Sequence, residues 1–413
     1  MKRQAATVRG LQRRARDLGF GRIADPRQGS KVKLPLPTVL TALLAAMVTK
    51  ARSLRMVEQR TAQMAAKAGG ALGIGRRIAD NTFSKVLCRL GFGALVACLH
   101  RLIKAELRRG NLGPTRLQVP TVAIDGKASG TLRWHELCRV LELEPAEATA
   151  AKVRALLSEH YPQAQLCEPE HGLPYALLRM HTVTLISSEA APCVHLRPIA
   201  GETNEIGSMP ALLDELKAVY SRTKLFGRLT TDAGNTSAGV MERIVKHHWH
   251  YFGQIKGDHG AIYAEARRQL GHRRRQRAQA STSDSQNGKT VTYYVWRYDL
   301  TEQGWLQWTH ARQLIRVQRV VHDPHTGQTT VGNRYYVSSQ DPYGADAERR
   351  SEAVAGPLAL RGRDALDRGC RVARGPPSAG LVASSAGNSG RLCHPHDGAV
   401  HLGTCPPAQP DGL

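Results

Sequence analysis

Apolar positions in the first 115 residues recur at helical spacing; from about residue 119 they change to short β-branched runs. Thr38 opens the run Thr-Val-Leu-Thr-Ala-Leu-Leu-Ala-Ala-Met-Val directly after Pro37, which predicts a helix start. Asn81 offers a cap to a second helix over 81–90, and Leu95, Leu99 and Leu102 continue the spacing beyond it. The first predicted strand, 119–124, runs into Asp125-Gly126-Lys127, where the glycine permits a tight turn. Residues 132–175 then read as an interruption holding helices at 136–143 and 145–160. Alternating runs at 181–187 and 194–199 follow, joined by a turn at 188–192. Next come a helix at 210–220 with proline in its first turn, a strand ending in Asp232, a helix at 238–247 and a strand at 251–255. Three strands, then helix, strand, helix and strand, predict an α/β fold: a mixed sheet with parallel central strands. In that sheet the first and fourth strands are neighbours, which brings Asp125 beside Asp232.

Further on the pattern is less regular. An arginine-rich run spans 267–277, and 278–289 reads as a polar loop. Strand-like runs at 290–300, 314–321, 329–331 and 334–339 surround Trp305 and Trp308, with a turn at 322–327. The expected organisation is an N-terminal helical domain (1–115) and an α/β core (116–354) with a helical insertion (132–175) and a β-rich insertion (270–335). From about residue 355 to 413 apolar periodicity stops, lysine is absent, and Cys370, Cys393 and Cys405 crowd in, so this tail is expected to be disordered.

Charge adds a partner class. The 413-residue chain carries a formal net charge of +24 and a pI near 10.2. Lys and Arg in such excess neutralise phosphates, so nucleic acid is the first expected partner. The N-terminal helices bear Arg101, Lys104, Arg108 and Arg109, which suits either a helix laid in a DNA groove or a solvated basic face. The eight cysteines form no Cys-x-x-Cys pair, which argues against a zinc finger and a secreted disulfide framework. Met1-Lys2-Arg3-Gln4 does not open a signal peptide, and the most apolar window, 34–48, is shorter than a membrane span. A cytoplasmic protein without membrane association is expected.

Two acids at two strand ends are what a divalent-metal site uses, since hard cations take oxygen ligands. An ordinary strand-to-turn junction produces the same residues. Lys127 could reach a phosphate, and Arg273, Arg274 and Arg275 are candidate phosphate contacts, or else a solvated helix face. His247, His248 and His250 straddle a helix end and a strand start and make a poor metal triad. Ser187 and Ser188 near His195 read as strand and turn residues, and Trp296 as core.

Several segments together resemble a known family. Ala-Ile-Asp-Gly-Lys at 123–127, Glu202-Thr203-Asn204-Glu205-Ile206, Thr231-Asp232-Ala233, Ile255-Lys256-Gly257 and Arg334-Tyr335-Tyr336-Val337-Ser338-Ser339 are similar to bacterial insertion-sequence transposases of the Asp-Asp-Glu class, in the H-repeat-associated, ISAs-type branch. Ile23-Ala24-Asp25-Pro26-Arg27 and Ala51-Arg52-Ser53-Leu54 resemble that branch's leading domain, so the likeness covers roughly 20–354. It implies a ribonuclease-H-like core in which Asp125 and Asp232 are catalytic and share two Mg²⁺ ions. It also implies double-stranded DNA as partner, both transposon ends and target, engaged by a homo-oligomer. Lys127 and Lys256 would contact phosphate. Glu202 and Glu205 belong to the motif, their role open between metal contact and capping of the helix near Pro210.

The chain departs from the family after the Tyr-Tyr-Val-Ser-Ser strand. There the family carries its third carboxylate in a Trp-x-x-Glu segment followed by His-Trp, whereas this chain reads Gly356-Pro357-Leu358-Ala359-Leu360-Arg361-Gly362. Codons for that stretch exist which, read one frame over, restore both features, so the tail reads as frameshifted. Glu348, Glu352, Asp364 and Asp367 are poor substitutes because no packed helix is predicted to fix them. The expectation is a transposase impaired in catalysis. A non-catalytic basic nucleic-acid-binding protein and a nuclease of the same fold are the alternatives.

Overall fold

The computed structural model describes residues 2–27, 29, 32–68, 72–115, 117, 119–300, 306 and 308–340. The expected tail at 355–413 therefore lies outside the described residues, as do the four substitute acids and Trp305. Five helices come first: α1 (Lys2–Leu18), α2 (Leu36–Val48), α3 (Leu54–Ala68), α4 (Asp80–Leu87) and α5 (Phe92–Arg108). Helix α2 starts two residues before the expected Thr38. Pro35 is its cap and Pro37 lies in the first turn, where a missing N–H costs nothing. Leu36, Val39, Leu40, Phe83, Val86 and Cys98 build the core of this helical part. Helix α5 serves two cores, because Ile103 on another of its faces packs into the main α/β core.

Ten strands form one mixed sheet: β1 (Thr121–Arg133), β2 (Ala164–Cys167), β3 (Tyr175–Leu185), β4 (Cys193–Pro198), β5 (Arg228–Thr231), β6 (His250–Ile255), β7 (Ala280–Gln286), β8 (Lys289–Asp299), β9 (Gln313–His322) and β10 (Thr329–Ser338). Their order is β2-β3-β1-β5-β6-β10-β9-β8-β7, with β4 beside β3. Strands β1, β5 and β6 are parallel to one another, and the other pairings are antiparallel. The expected mixed sheet with parallel centre is therefore present. Thr121, Val122, Ala123 and Ile124 are all buried, as a central strand covered on both faces requires. Helices α8 (Glu205–Tyr220), α9 (Ala238–Lys246) and α10 (Ala261–Leu270) follow β4, β5 and β6. Met209, Leu212, Leu213 and Leu216 of α8 bury against Val122, Ile124 and Leu229 in the main core.

Three local readings change. Gly126 makes no turn: β1 runs on to Arg133 as a ribbon with β3, paired Gly126↔His181 and onward to Arg133↔Tyr175. After it, α6 (Trp134–Val140), α7 (Ala150–His160) and β2 close a satellite core of Trp134, Leu137, Cys138, Val153, Leu157 and Ala176. The polar stretch expected as a loop at 278–289 is the hairpin β7–β8. Its two-residue turn, Asn287 (φ 52°) and Gly288 (φ 75°), has the left-handed pair that matches strand twist. Helix α8 begins at Glu205, not at Pro210, because the Asn204 side chain accepts from the Gly207 N–H and caps it there.

The expected β-rich insertion is an extension of the same sheet. Strand β10 joins β6 through Tyr335↔Ile255 to Ser338↔Phe252, and the meander β7–β10 continues outward. Among the described residues no single helix is long and apolar enough to cross a membrane.

Candidate active site

Strands β1 and β5 run in register from Thr121↔Arg228 to Ile124↔Thr231. The residues that follow the last pair are Asp125 and Asp232, so the two acids stand where the parallel pairing ends, roughly 4.8 Å apart in backbone terms, Asp232 just past β5 and Asp125 within β1, which continues with β3 alone. Such edges are where open α/β sheets take ligands. The chain after Asp232 folds back on itself. Asp232 Oδ1 accepts from the Asn235 N–H at 3.0 Å and from Asn235 Nδ2 at 2.9 Å, closing a single turn. The Thr236 hydroxyl donates to the Asp232 carbonyl at 2.7 Å, and the Thr231 and Thr236 hydroxyls are 2.8 Å apart.

A third carboxylate stands beside this pair. Glu205 Oε2 accepts from Asn235 Nδ2 at 3.2 Å, so one buried amide bridges Glu205 and Asp232. The Glu205 carboxylate also lies over Gly126, where an added β-carbon would come within 2.1–2.3 Å of it. Lys127 Nζ is 3.6 Å from Asp125 Oδ2. Burial pushes the Asp125 carboxyl above its ordinary value of 3.8; Lys127 opposes the shift, and the Asp232 and Glu205 charges add to it. An acid whose folded pKa is raised costs stability once pH exceeds the unfolded value. Asp125→Asn is therefore expected to raise the thermal midpoint by a few degrees at pH 7, a gain that fades as pH falls through the raised pKa towards 3.8. Thermal scans at pH 7 and pH 4 check this; an equal effect at both would remove the charge explanation.

Among the described residues, no three His, Cys, Asp or Glu side chains are arranged around a common point that holds a metal ion. Asn235 instead lies between Glu205 and Asp232 as a donor, and Lys127 stands beside Asp125. The donor chemistry nonetheless fits a hard divalent cation, since carboxylate oxygens are its preferred ligands. Two further observations agree. Gly126 leaves a cradle that a β-carbon would fill, and Asn235 Oδ1 is a buried oxygen without a hydrogen-bond partner.

The other expected contacts divide. Lys256 follows β6, the next parallel strand, at the same edge of the sheet; it is exposed and 3.3 Å from Asp258. Arg273 sits over the Tyr298 ring and donates to the Gln269 and Arg297 carbonyls, while Arg275 sits over Tyr294 and donates to Gln318. These partners outside α10 belong to β8 and β9, four or more strands along the sheet from β1. Arg274 is exposed, and its carbonyl accepts from the Trp296 indole. The arginine run thus includes two side chains that brace the meander and is not gathered at the acids. Trp296 is fully buried, the core position read from the sequence; His247 bonds Asp214, and Ser187 accepts from the Thr121 N–H. Glu202 is exposed and accepts from the Ser158 hydroxyl at 3.3 Å.

Sequence reasoning left Glu205 unassigned and missed Asn235. The available signal was Asn204: a strong cap residue placed six positions ahead of Pro210 starts the helix early enough to aim Glu205 at β1. Comparison of the chain with protein-family models and with curated proteins gives no match.

Proposed function

We propose that this chain is a DNA strand-transfer protein of the insertion-sequence, Asp-Asp-Glu transposase type, built on a ribonuclease-H-like core and impaired in catalysis. The observation that carries this reading is the Asp125–Asp232 pair, side by side where the parallel pairing of β1 and β5 ends. The strand order β4-β3-β1-β5-β6, an antiparallel meander with two parallel strands added beside its first member, supports a ribonuclease-H-like core. The net charge of +24 supports a polyanionic substrate.

Asp125 and Asp232 would hold Mg²⁺, which supplies charge stabilisation to the attacking and leaving oxygens of an in-line displacement at phosphorus. The protein's own part is positional. The parallel register fixes the spacing of the two carboxylates, and the Asn235 and Thr236 bonds hold the Asp232 backbone in place. Lys127 is placed to exchange its contact with Asp125 for a phosphate oxygen, and Lys256 extends the positive edge along β6. The family's third carboxylate has no counterpart in the sequence at 356–362, and this is the basis for impaired catalysis.

A second reading has its own observation. The Asp232 carboxylate caps the turn at Asn235, which is reason enough for an acid in a non-catalytic nucleic-acid-binding protein. One experiment separates them. Plasmid DNA carrying the element's ends is incubated with the chain as it stands and with a version whose tail is restored to the neighbouring reading frame. Expected are salt-sensitive DNA binding by both and Mg²⁺-dependent strand cleavage by the restored version, at least ~10³-fold faster than by the chain as it stands. Binding without cleavage in either version would favour the second reading, and binding indifferent to salt would overturn both.

A further inference from the structure

Glu205 opens α8, but the acceptor that caps the helix is Asn204, bonded to the Gly207 N–H at 2.8 Å. The turn is tight: a β-carbon on Gly207 would lie 2.6 Å from Thr203 Oγ1 and 3.1 Å from Asn204 Oδ1. The Glu205 carboxylate reaches instead across β1 at Gly126, just past the end of its pairing with β5. A β-carbon on Gly126 would meet its Cδ at 2.1 Å and both its oxygens at 2.3 Å, so the carboxylate lies against bare strand backbone between Asp125 and Lys127. On its other side Asn235 bonds it at 3.2 Å while holding Asp232 at 2.9 Å.

This arrangement is costly for a merely structural acid. Three carboxylates in one half-buried corner repel one another. A glycine inside a strand loses more entropy on folding than any other residue and weakens the strand. A bound cation relieves the first cost and explains the second, since only glycine lets an acid from another element come this close. Asn235 Oδ1, in a fully buried side chain and without a partner, is a further hard oxygen beside the same carboxylates.

We propose that Glu205 is a third oxygen ligand, with Asp125 and Asp232, for a divalent cation at this site, and that Gly126 admits it. The three carboxylates do not surround one point in this structure, so binding must turn the Asn235 amide, which now donates to Glu205 and Asp232, out from between them. The proposal rests on the metal-centre reading above and deepens it. All three carboxylates precede residue 340, so cation binding at this corner needs no residue of the tail.

The test is calorimetric titration of the full chain with Mn²⁺ alone, for wild type, Glu205→Gln, Gly126→Ala and Asp125→Asn, alongside circular dichroism without metal. Glu205→Gln is expected to weaken Mn²⁺ binding about tenfold or more with an unchanged spectrum. Gly126→Ala is expected to do the same with every carboxylate retained, because its methyl displaces Glu205. If Glu205→Gln binds within about twofold of wild type while Asp125→Asn does not bind, Glu205 is no ligand and the metal-centre reading survives without it. If wild type takes up no Mn²⁺, the metal-centre reading falls and this proposal with it. Should Gly126→Ala fail to fold, Glu205→Gln alone decides.

Discussion

Asp232→Asn and Asp232→Ala, each made in the frame-restored chain, are expected to reduce DNA strand cleavage by at least ~10³-fold, yet to differ in stability. The difference follows from the two jobs of one carboxylate. Its charge would serve the cation, whereas Oδ1 caps the turn by accepting from the Asn235 N–H and Nδ2. Asparagine keeps an amide oxygen for that cap, so Asp232→Asn should stay within about 1 kcal/mol of the parent. Alanine removes the cap and leaves the buried Asn235 amide with Glu205 as its one carboxylate acceptor, a combined loss of roughly 1–3 kcal/mol. Urea denaturation and a plasmid-cleavage assay on both variants measure the two effects separately. Cleavage preserved in Asp232→Asn would mean that the acid is structural only.

The second large effect is acid lability centred on His100 and His195, where α5 meets β4. His195 is 2% exposed; its Nδ1 is 2.9 Å from His100 Nε2, and its Nε2 is 3.0 Å from Glu215 Oε2. The two rings meet edge to edge through that nitrogen–nitrogen contact, with centroids 5.1 Å apart and planes 6° from parallel. Burial lowers both imidazoles to about 4, helped by Lys104 and Arg101 around His100, and by His100 and Arg197 around His195. Tyr220 packs edge-on against His100, and the Cys193 thiol donates to the His195 carbonyl. A depressed histidine pKa contributes stability that is fully present above 6.5, the unfolded value, and is lost as pH falls through about 4. For His195 alone the shift corresponds to about 3 kcal/mol. Urea denaturation at pH 7 and pH 4.5 should show most of that loss, and the pH dependence should flatten in the double variant His100→Gln, His195→Gln. An unflattened slope would move the acid sensitivity elsewhere. Asp125 acts in the opposite direction over the lower part of this range, since its raised carboxyl favours the more acidic condition.

Much of the sheet was legible because its signals are local. Val122-Ala123-Ile124 before Asp125 and Leu229-Thr230-Thr231 before Asp232 are apolar or β-branched runs that stop at an acid. The helices between later strands then force those strands parallel, so the pairing of the acids followed from element order alone. What was hidden depended on partners far along the chain. Gly126 looks like a turn residue until Glu205, 79 positions later, is seen to occupy the space of its missing side chain. The 278–289 stretch looks like a loop because its residues are polar on both faces, which is how an exposed edge strand such as β7 reads. Arg316 sits in an ordinary strand pattern, yet its guanidinium stacks 4.5 Å from the Trp296 ring and caps the α10 carbonyls Leu270 and Gly271. Periodicity could not foretell a buried cation there.

The place of β10 in the sheet has a consequence for how the chain is made. Strand β6 is complete by Ile255, but the strand that covers its open side pairs Tyr335 with Ile255 and is synthesised 80 residues later. Throughout that interval β6 is an unpaired edge on a growing chain, with its N–H and C=O groups free to recruit another strand. The hairpins β7–β8 and β8–β9 can form meanwhile from near neighbours, but they cannot dock until β10 bridges them to β6. Assembly of the two halves is thus a late, long-range step, of the kind that folds slowly and exposes intermediates to aggregation. A ribosome that stops short of residue 338 releases a chain whose β6 edge is still open, because β10 is the strand that covers it.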